Sequence, residues 1–303
     1  MALDKITAAL AGVVAIPVTP FDAHGDLDLP ALEKVLARIV DGGIDVVTPN
    51  GNTGEFYALT ADEARQAVDV TTSAVGSRAT IMAGVGGSVP DAIEAARYAQ
   101  RAGAAAIMVH QPVHPYVSAA GWVDYHRAIA EAVPDLGVVL YLRSPRIDGA
   151  DLARLCELAP NVVGVKYSVP DPVRFGEVAS NSGAAGSFVW IAGLAELAAP
   201  GYFALGATGF TSGLANVHPE LSVRLLKALR TGDSVTVQRL WRLIQPFERM
   251  RADGASQNNV SVVKEALAQL GVCRRDVRPP SHVLDELGRE RVVRILKTWE
   301  IAG

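Results

Sequence analysis

Short, almost wholly apolar runs recur along the chain at 12–19, 44–50, 79–86, 105–112, 137–143, 162–168, 188–193 and 206–212. Runs without polar alternation suit strands buried on both faces. Between them lie segments whose apolar positions return with a helical period; in 29–41 these are Leu32, Val35, Leu36, Ile39 and Val40. The segment 60–75 opens Thr60-Ala61-Asp62-Glu63, a capping box with the carboxylate three residues after the hydroxyl. The segment 90–102 starts on a proline and stops at Gly103. Segments 121–133, 149–158, 172–179, 194–205 and 219–229 complete eight strand–helix pairs. Strands that alternate with helices pair in parallel through right-handed crossovers. Eight such units predict an α/β fold, the closed (β/α)8 TIM barrel. The rival, an open doubly wound sheet, would carry a glycine-rich phosphate turn after its first strand, and Pro17-Val18-Thr19-Pro20-Phe21 is not one.

The barrel is expected over residues 1–230. Residues 231–303 read as a C-terminal helical extension packed on it, with helical patterns at 233–251, 260–271 and 285–299 and a break at Pro279-Pro280. Near the N-terminus, 6–18 is mostly small and apolar and could imitate a signal peptide, but Asp4 lies in the would-be basic region. A first buried strand is the expected reading there. No run approaches the ~18 apolar residues of a membrane span, and a cytoplasmic protein is expected. The 303 residues, 50% hydrophobic and 20% charged, suffice for a large core. A formal net charge of −4 makes no electrostatic case for nucleic acid or an anionic membrane. Cys156 and Cys273 stand far apart and form no CxxC pattern, which supports neither a disulfide framework nor a zinc knuckle.

Barrel active sites gather at the C-terminal ends of the strands, which selects candidates before any motif is considered. The run Val162-Val163-Gly164-Val165-Lys166 ends in a lysine where hydrophobic filling is expected. A buried ammonium must be paired or lose its proton; losing it makes the amine a nucleophile toward carbonyl carbon. The alternative is a strand-end charge that snorkels into water. Tyr141 ends the neighbouring strand and could be core or a proton relay. Asn52 and Thr53 lie between Gly51 and Gly54, where backbone N–H groups and polar side chains suit a carboxylate. Arg143 and Arg146 are possible anion ligands or solvated loop charges, and Ser212 closes strand eight. Gly84 to Ser88 reads as a turn with Ser88 near a helix start, since no basic residue accompanies it. His110 and His114 straddle a strand end and a proline-containing loop, so four-residue spacing does not put them on one helix face. No metal is expected, and His114 reads as a polar residue of the cleft.

These residues also resemble a known pattern. Pro17-Val18-Thr19-Pro20-Phe21, Gly51-Asn52-Thr53-Gly54-Glu55, Tyr141, Gly164-Val165-Lys166 and the stretch from Ser212 to Pro219 with its Ala215-Asn216 come in the order and spacing of the dihydrodipicolinate synthase / N-acetylneuraminate lyase family of Schiff-base-forming lyases. The resemblance implies a lyase without a cofactor, in which Lys166 forms an imine with a small 2-oxo acid and Tyr141 shuttles protons. It implies Thr53 and Asn52 on the substrate carboxylate, Thr53 also in the proton relay, with Gly51 beside them. It puts Arg146 where the synthases hold a second substrate's carboxylate, and it implies a homotetramer or dimer. The chain departs from the synthases in having Asn52-Thr53 for Thr-Thr and Leu142 for an asparagine. His114 stands where a tyrosine is lent to the neighbouring subunit, with Tyr116 able to reach the same space. Glu55-Phe56-Tyr57-Ala58-Leu59-Thr60 is similar to the 5-dehydro-4-deoxyglucarate dehydratase branch, whose acidic sugar-acid substrates would suit Arg143 and Arg146. Synthase, aldolase and dehydratase stay open, as do a metal-dependent barrel enzyme and a non-catalytic 2-oxo-acid-binding barrel.

Overall fold

A computed structural model describes residues 2–183 and 188–300. A helix, α1 (Ala2–Leu10), precedes β1 (Val13–Ala15). Then come α2 (Leu29–Asp41), β2 (Val46–Val47), α3 (Ala61–Val75), β3 (Thr80–Val85), α4 (Val89–Arg101), β4 (Ala106–Val109), α5 (Ala119–Glu131) and β5 (Gly137–Leu142). The barrel is completed by α6 (Gly149–Leu158), β6 (Val162–Tyr167), α7 (Pro172–Asn181), β7 (Val189–Ala192), α8 (Ala195–Phe203), β8 (Gly209–Ser212) and α9 (Pro219–Thr231). The strands pair in parallel in chain order, and β8 returns to β1. The expected (β/α)8 barrel is therefore present. The extension is α10 (Ser234–Ser256), α11 (Asn259–Gln269) and α12 (Glu286–Thr298).

Local chemistry starts the helices as expected. Thr60 accepts from Glu63 N–H while the Glu63 carboxylate accepts from Thr60 N–H, the reciprocal capping box. Ser88 caps α4 through Asp91 N–H, so the Gly84 to Ser88 stretch is a turn into a helix. The strands are shorter than the apolar runs that contain them, because several runs extend beyond the paired segment into the loops at the mouth.

One expectation fails. The apolar stretch 6–18 is not a single strand: its first half belongs to α1, and only Val13–Ala15 pairs. The reason lies in barrel closure. The interior column of Val14, Met82, Val139 and Val163 needs a cover at its N-terminal end, and Ile6 and Leu10 are buried in that same cluster. Among the described residues no helix is long and apolar enough to cross a membrane.

The extension is tied to the barrel mouth by polar contacts. Arg278 donates to both Glu63 carboxylate oxygens and to the carbonyls of Ala58 and Gly25. The Arg278 guanidinium holds the Glu63 carboxyl down at about 2. Lys264, fully buried on α11, pairs with Glu55 and donates to Asp276 O at 2.8 Å.

Candidate active site

The lysine at the end of β6 points into the barrel because the strand carries an extra residue. Val162 pairs with Val138, but Gly164 pairs with the next residue, Val139, leaving Val163 unmatched. Bulges of this kind re-aim side chains. After it, Gly164 and Lys166 face inward while Val165 and Tyr167 join the outer core. Lys166 thus stands in register with Tyr141 on one side and Ile191 on the other.

Lys166 is 4% exposed, and its Nζ lies 3.9 Å from the centre of the Tyr141 ring. Among the described residues no carboxylate pairs with it. Burial, helped by the Arg143 charge, lowers its amine to about 7 from an ordinary value of 10.5. A large fraction is therefore the free amine at neutral pH. The snorkelling alternative fails on the same geometry. The Tyr141 phenol is itself pushed up by burial, with Arg143 and Ser168 pulling the other way.

The turn after β2 is held from several sides. Asn50 and Glu55 both take left-handed backbone conformations, φ 60° and 57°, uncommon for residues with a Cβ. Gly51 meets Ile16 Cγ2 at 2.4 Å from where a Cβ would sit, so a side chain there would displace the barrel floor beneath the turn. Asn52 Nδ2 donates to the Tyr141 phenol oxygen at 3.0 Å. Thr53 is buried and points instead to Asn259 Oδ1 on the extension, at 3.4 Å. The Pro17 to Phe21 segment is the frame of this turn. Thr19 Oγ1 donates to Gly54 O at 2.7 Å. Asn216 accepts from Val18 N–H and donates to Ile16 O, closing the β1–β8 seam.

These groups open on one cavity of about 980 Å³, lined by Asn52, Thr53, Tyr141, Arg143 and Lys166. Arg143 forms no ion pair among the described residues; its guanidinium lies 6.0 Å from the Tyr141 ring centre. His110 is buried and stacked on Phe56 at 4.2 Å, its Nε2 bonded to Asn50 O at 2.8 Å. Burial holds this imidazole down at about 3, so it is neutral and Nε2 is the donor. No group of three His, Cys, Asp or Glu side chains able to hold a metal occurs among the described residues.

A family model of the dihydrodipicolinate synthetase family matches residues 9–299. The chain belongs to the dihydrodipicolinate synthetase family. Members of this family are lyases, and the chain is accordingly an enzyme of that class. It is 32% identical to a probable 5-dehydro-4-deoxyglucarate dehydratase of Rhizobium rhizogenes, over 99% of this chain and 98% of that protein. It is 31% identical to a 4-hydroxy-tetrahydrodipicolinate synthase of Bartonella bacilliformis, covering 93% and 95%. The crystal structure of a dihydrodipicolinate synthase from Bacillus clausii superimposes with a TM-score of 0.93 at 40% identity, covering 97% of this chain and 99% of that one.

Four candidates from the sequence do not line the cavity of this family member: Gly51, packed against Ile16 beneath the turn, and three others. His114 is exposed on the loop after β4, where its Nδ1 accepts from Tyr116 N–H at 3.1 Å. Arg146 is exposed beyond the cavity rim, with its N–H bonded to Ser144. Ser212 faces outward, donating to the buried Glu196 carboxylate at 2.5 Å, while Thr211 takes the inward position. A one-residue change of position exchanges the faces of a strand, so the end of β8 presents Thr211.

Other lining residues had weaker signals. Arg251 is one: its guanidinium makes a bidentate pair with Glu248 at 2.7 and 2.9 Å and lies on Gly213, where a Cβ would be 2.2 Å from Nη2. Glu248, Arg251 and Asn259 bring the extension into the cavity wall, a role that helical periodicity does not announce. Ser168, two residues after Lys166, was readable from strand alternation.

Proposed function

We propose that Lys166 forms an imine with the keto group of a 2-oxo acid, and that the enzyme dehydrates or cleaves that adduct without a cofactor. The observation that carries this reading is one buried amine, unpaired among the described residues and lowered to about 7, over the ring of a tyrosine on the adjacent strand. A protonated imine draws electrons from the neighbouring carbon and stabilises the carbanion that elimination or aldol cleavage needs. Tyr141 is placed to move protons at that carbon or at the departing oxygen. The Asn52-Thr53 turn supplies the carboxylate seat. Arg143, the unpaired guanidinium on the lining, suits a second acidic group at the far end of the substrate.

A keto-deoxy sugar acid with two carboxylates fits this arrangement, and loss of water is the favoured reaction. Condensation with a second carboxylate-bearing substrate is less well supported, since Arg146 lies exposed outside the cavity. The test is borohydride reduction in the presence of pyruvate, 2-keto-3-deoxy sugar acids and their dicarboxylic forms, read by peptide mass. An adduct on the Lys166 peptide is expected, with the dicarboxylic acids turned over fastest. Absence of any adduct across the panel overturns the imine, and turnover limited to monocarboxylic acids overturns the role of Arg143.

A further inference from the structure

When an amine attacks a keto carbon, the new carbinolamine carries a proton too many on nitrogen and one too few on oxygen. That proton must travel. The Tyr141 phenol borders the reacting centre, but most of its neighbours cannot relay a proton to it. The Asn52 side chain that donates to the phenol is an amide and does not exchange a proton at neutral pH. The Arg143 guanidinium stays protonated. Thr53 is turned to Asn259. His110 is committed through Nε2 to Asn50 O.

Of the hydroxyls that line the cavity, among them Tyr57 and Thr211, Ser168 is the one next to Lys166 along its own strand. Ser168 lies two residues after Lys166, on the inward face that strand alternation gives both, and it lines the same cavity. It is 6% exposed, and its side chain acts on the Tyr141 phenol across the cavity. Gly193 shows where it points. A Cβ on Gly193 would fall 2.0 Å from Ser168 Oγ and 3.0 Å from Lys166 Cγ, so the serine and lysine side chains converge over the space that this glycine leaves. Ser168 also favours the ionised form of the Tyr141 phenol, which places it near that oxygen as well.

We propose that Ser168 is the relay hydroxyl between Lys166 and Tyr141. As the C–N bond forms, Nζ gives its surplus proton to Ser168 Oγ. Ser168 passes its own hydroxyl proton to Tyr141, and the phenol proton goes to the carbinolamine oxygen. The charges on nitrogen and oxygen cancel, and no proton is gained or lost overall. The inference rests on the imine reading above.

The test uses the full chain with pyruvate as probe and timed borohydride quenching. In Ser168→Ala the rate of adduct accumulation on Lys166 falls about 100-fold, the low end of general acid–base effects, while the final extent of trapping is unchanged. Ser168→Thr, which keeps the hydroxyl, stays within about threefold of the wild type by the same argument. Added imidazole accelerates the alanine variant and not the wild type. Ser168→Val against Ser168→Thr gives the same contrast at constant volume should the alanine variant prove unstable. Wild-type rates in Ser168→Ala or Ser168→Val overturn the relay and leave the imine standing. A wild-type protein that forms no adduct overturns the imine itself, and the relay with it.

Discussion

Two lysines of this molecule are removed from water almost equally, and they do different things. Lys166 is 4% exposed and Lys264 is 0% exposed. Each ammonium nitrogen lies over an aromatic ring, at 3.9 Å from the Tyr141 centre and 4.0 Å from the Phe21 centre. Burial lowers both amines. What differs is the company. Lys264 meets the Glu55 carboxylate, which pushes its proton affinity back up, and donates to the Asp276 carbonyl. Among the described residues no carboxylate meets Lys166, and the Arg143 charge pushes the same way as burial. The first arrangement holds a charged strut between the extension and the turn after β2; the second leaves an amine free to react. Burial of a lysine alone therefore says little about its role until its counter-charge is known.

The contrast breaks most visibly in activity. Lys166→Met should abolish turnover and borohydride labelling, a loss of at least about four orders of magnitude, in a protein that folds as well as the wild type. Its stability should differ in pH dependence. The folded-state amine titrates near 7, below its ordinary 10.5, so the unfolded chain holds more protons between those values. The wild type then gains stability from this group as pH rises from about 7 toward 10.5, and the methionine variant does not. Denaturant unfolding at pH 7 and pH 9.5 checks the sign. A Lys166→Met protein as unstable as the next variant would erase the contrast.

Lys264→Met should cost about 3–5 kcal/mol in denaturant unfolding, the usual cost of leaving one member of a buried ion pair alone. Glu55→Gln in the same protein should return part of that loss. If Lys264→Met is no less stable than wild type, the strut is not one.

The smallest expected effect sharpens the cause of the Lys166 shift. Arg143→Gln removes the second contribution to it after burial. The rate of imine trapping should rise with pH through about 7 in the wild type, as Lys166 loses its proton. In the variant that midpoint should move upward by less than about one pH unit, the size of a solvent-screened charge. The KM for dicarboxylic keto acids should rise at the same time. An unmoved midpoint would assign the whole shift to desolvation.

The barrel was legible because its code is local and redundant. Leu29–Asp41 and Gly149–Leu158 end where their periodicity and caps end. The strands are placed by runs that no surface element would carry. Lys166 and Tyr141 stood out as polar residues at the ends of such runs. The helix α1 was not legible, since Ile6 and Leu10 are apolar for a reason set elsewhere, the open end of a barrel interior. Ser212 was misplaced for a related reason: a residue at a strand end has two faces to choose between, and the packing of Glu196 and Ser222 made the choice.

The amino-acid order by itself thus determined the kind of fold, the strand ends at which chemistry could sit, and the lysine able to do it. Period, capping and burial cost all act within a few residues, so they can be read along the chain. The tertiary structure decided which way each of those side chains faces and what it meets. The unmatched Val163 turns Lys166 inward. Gly193 leaves room for Ser168 beside it. The extension carries Arg251 and Asn259 into the cavity wall and brings Lys264 against the Glu55 carboxylate of the barrel, while among the described residues no carboxylate meets Lys166. Those outcomes depend on register across strands and on contacts between residues far apart in the chain, which no local pattern encodes.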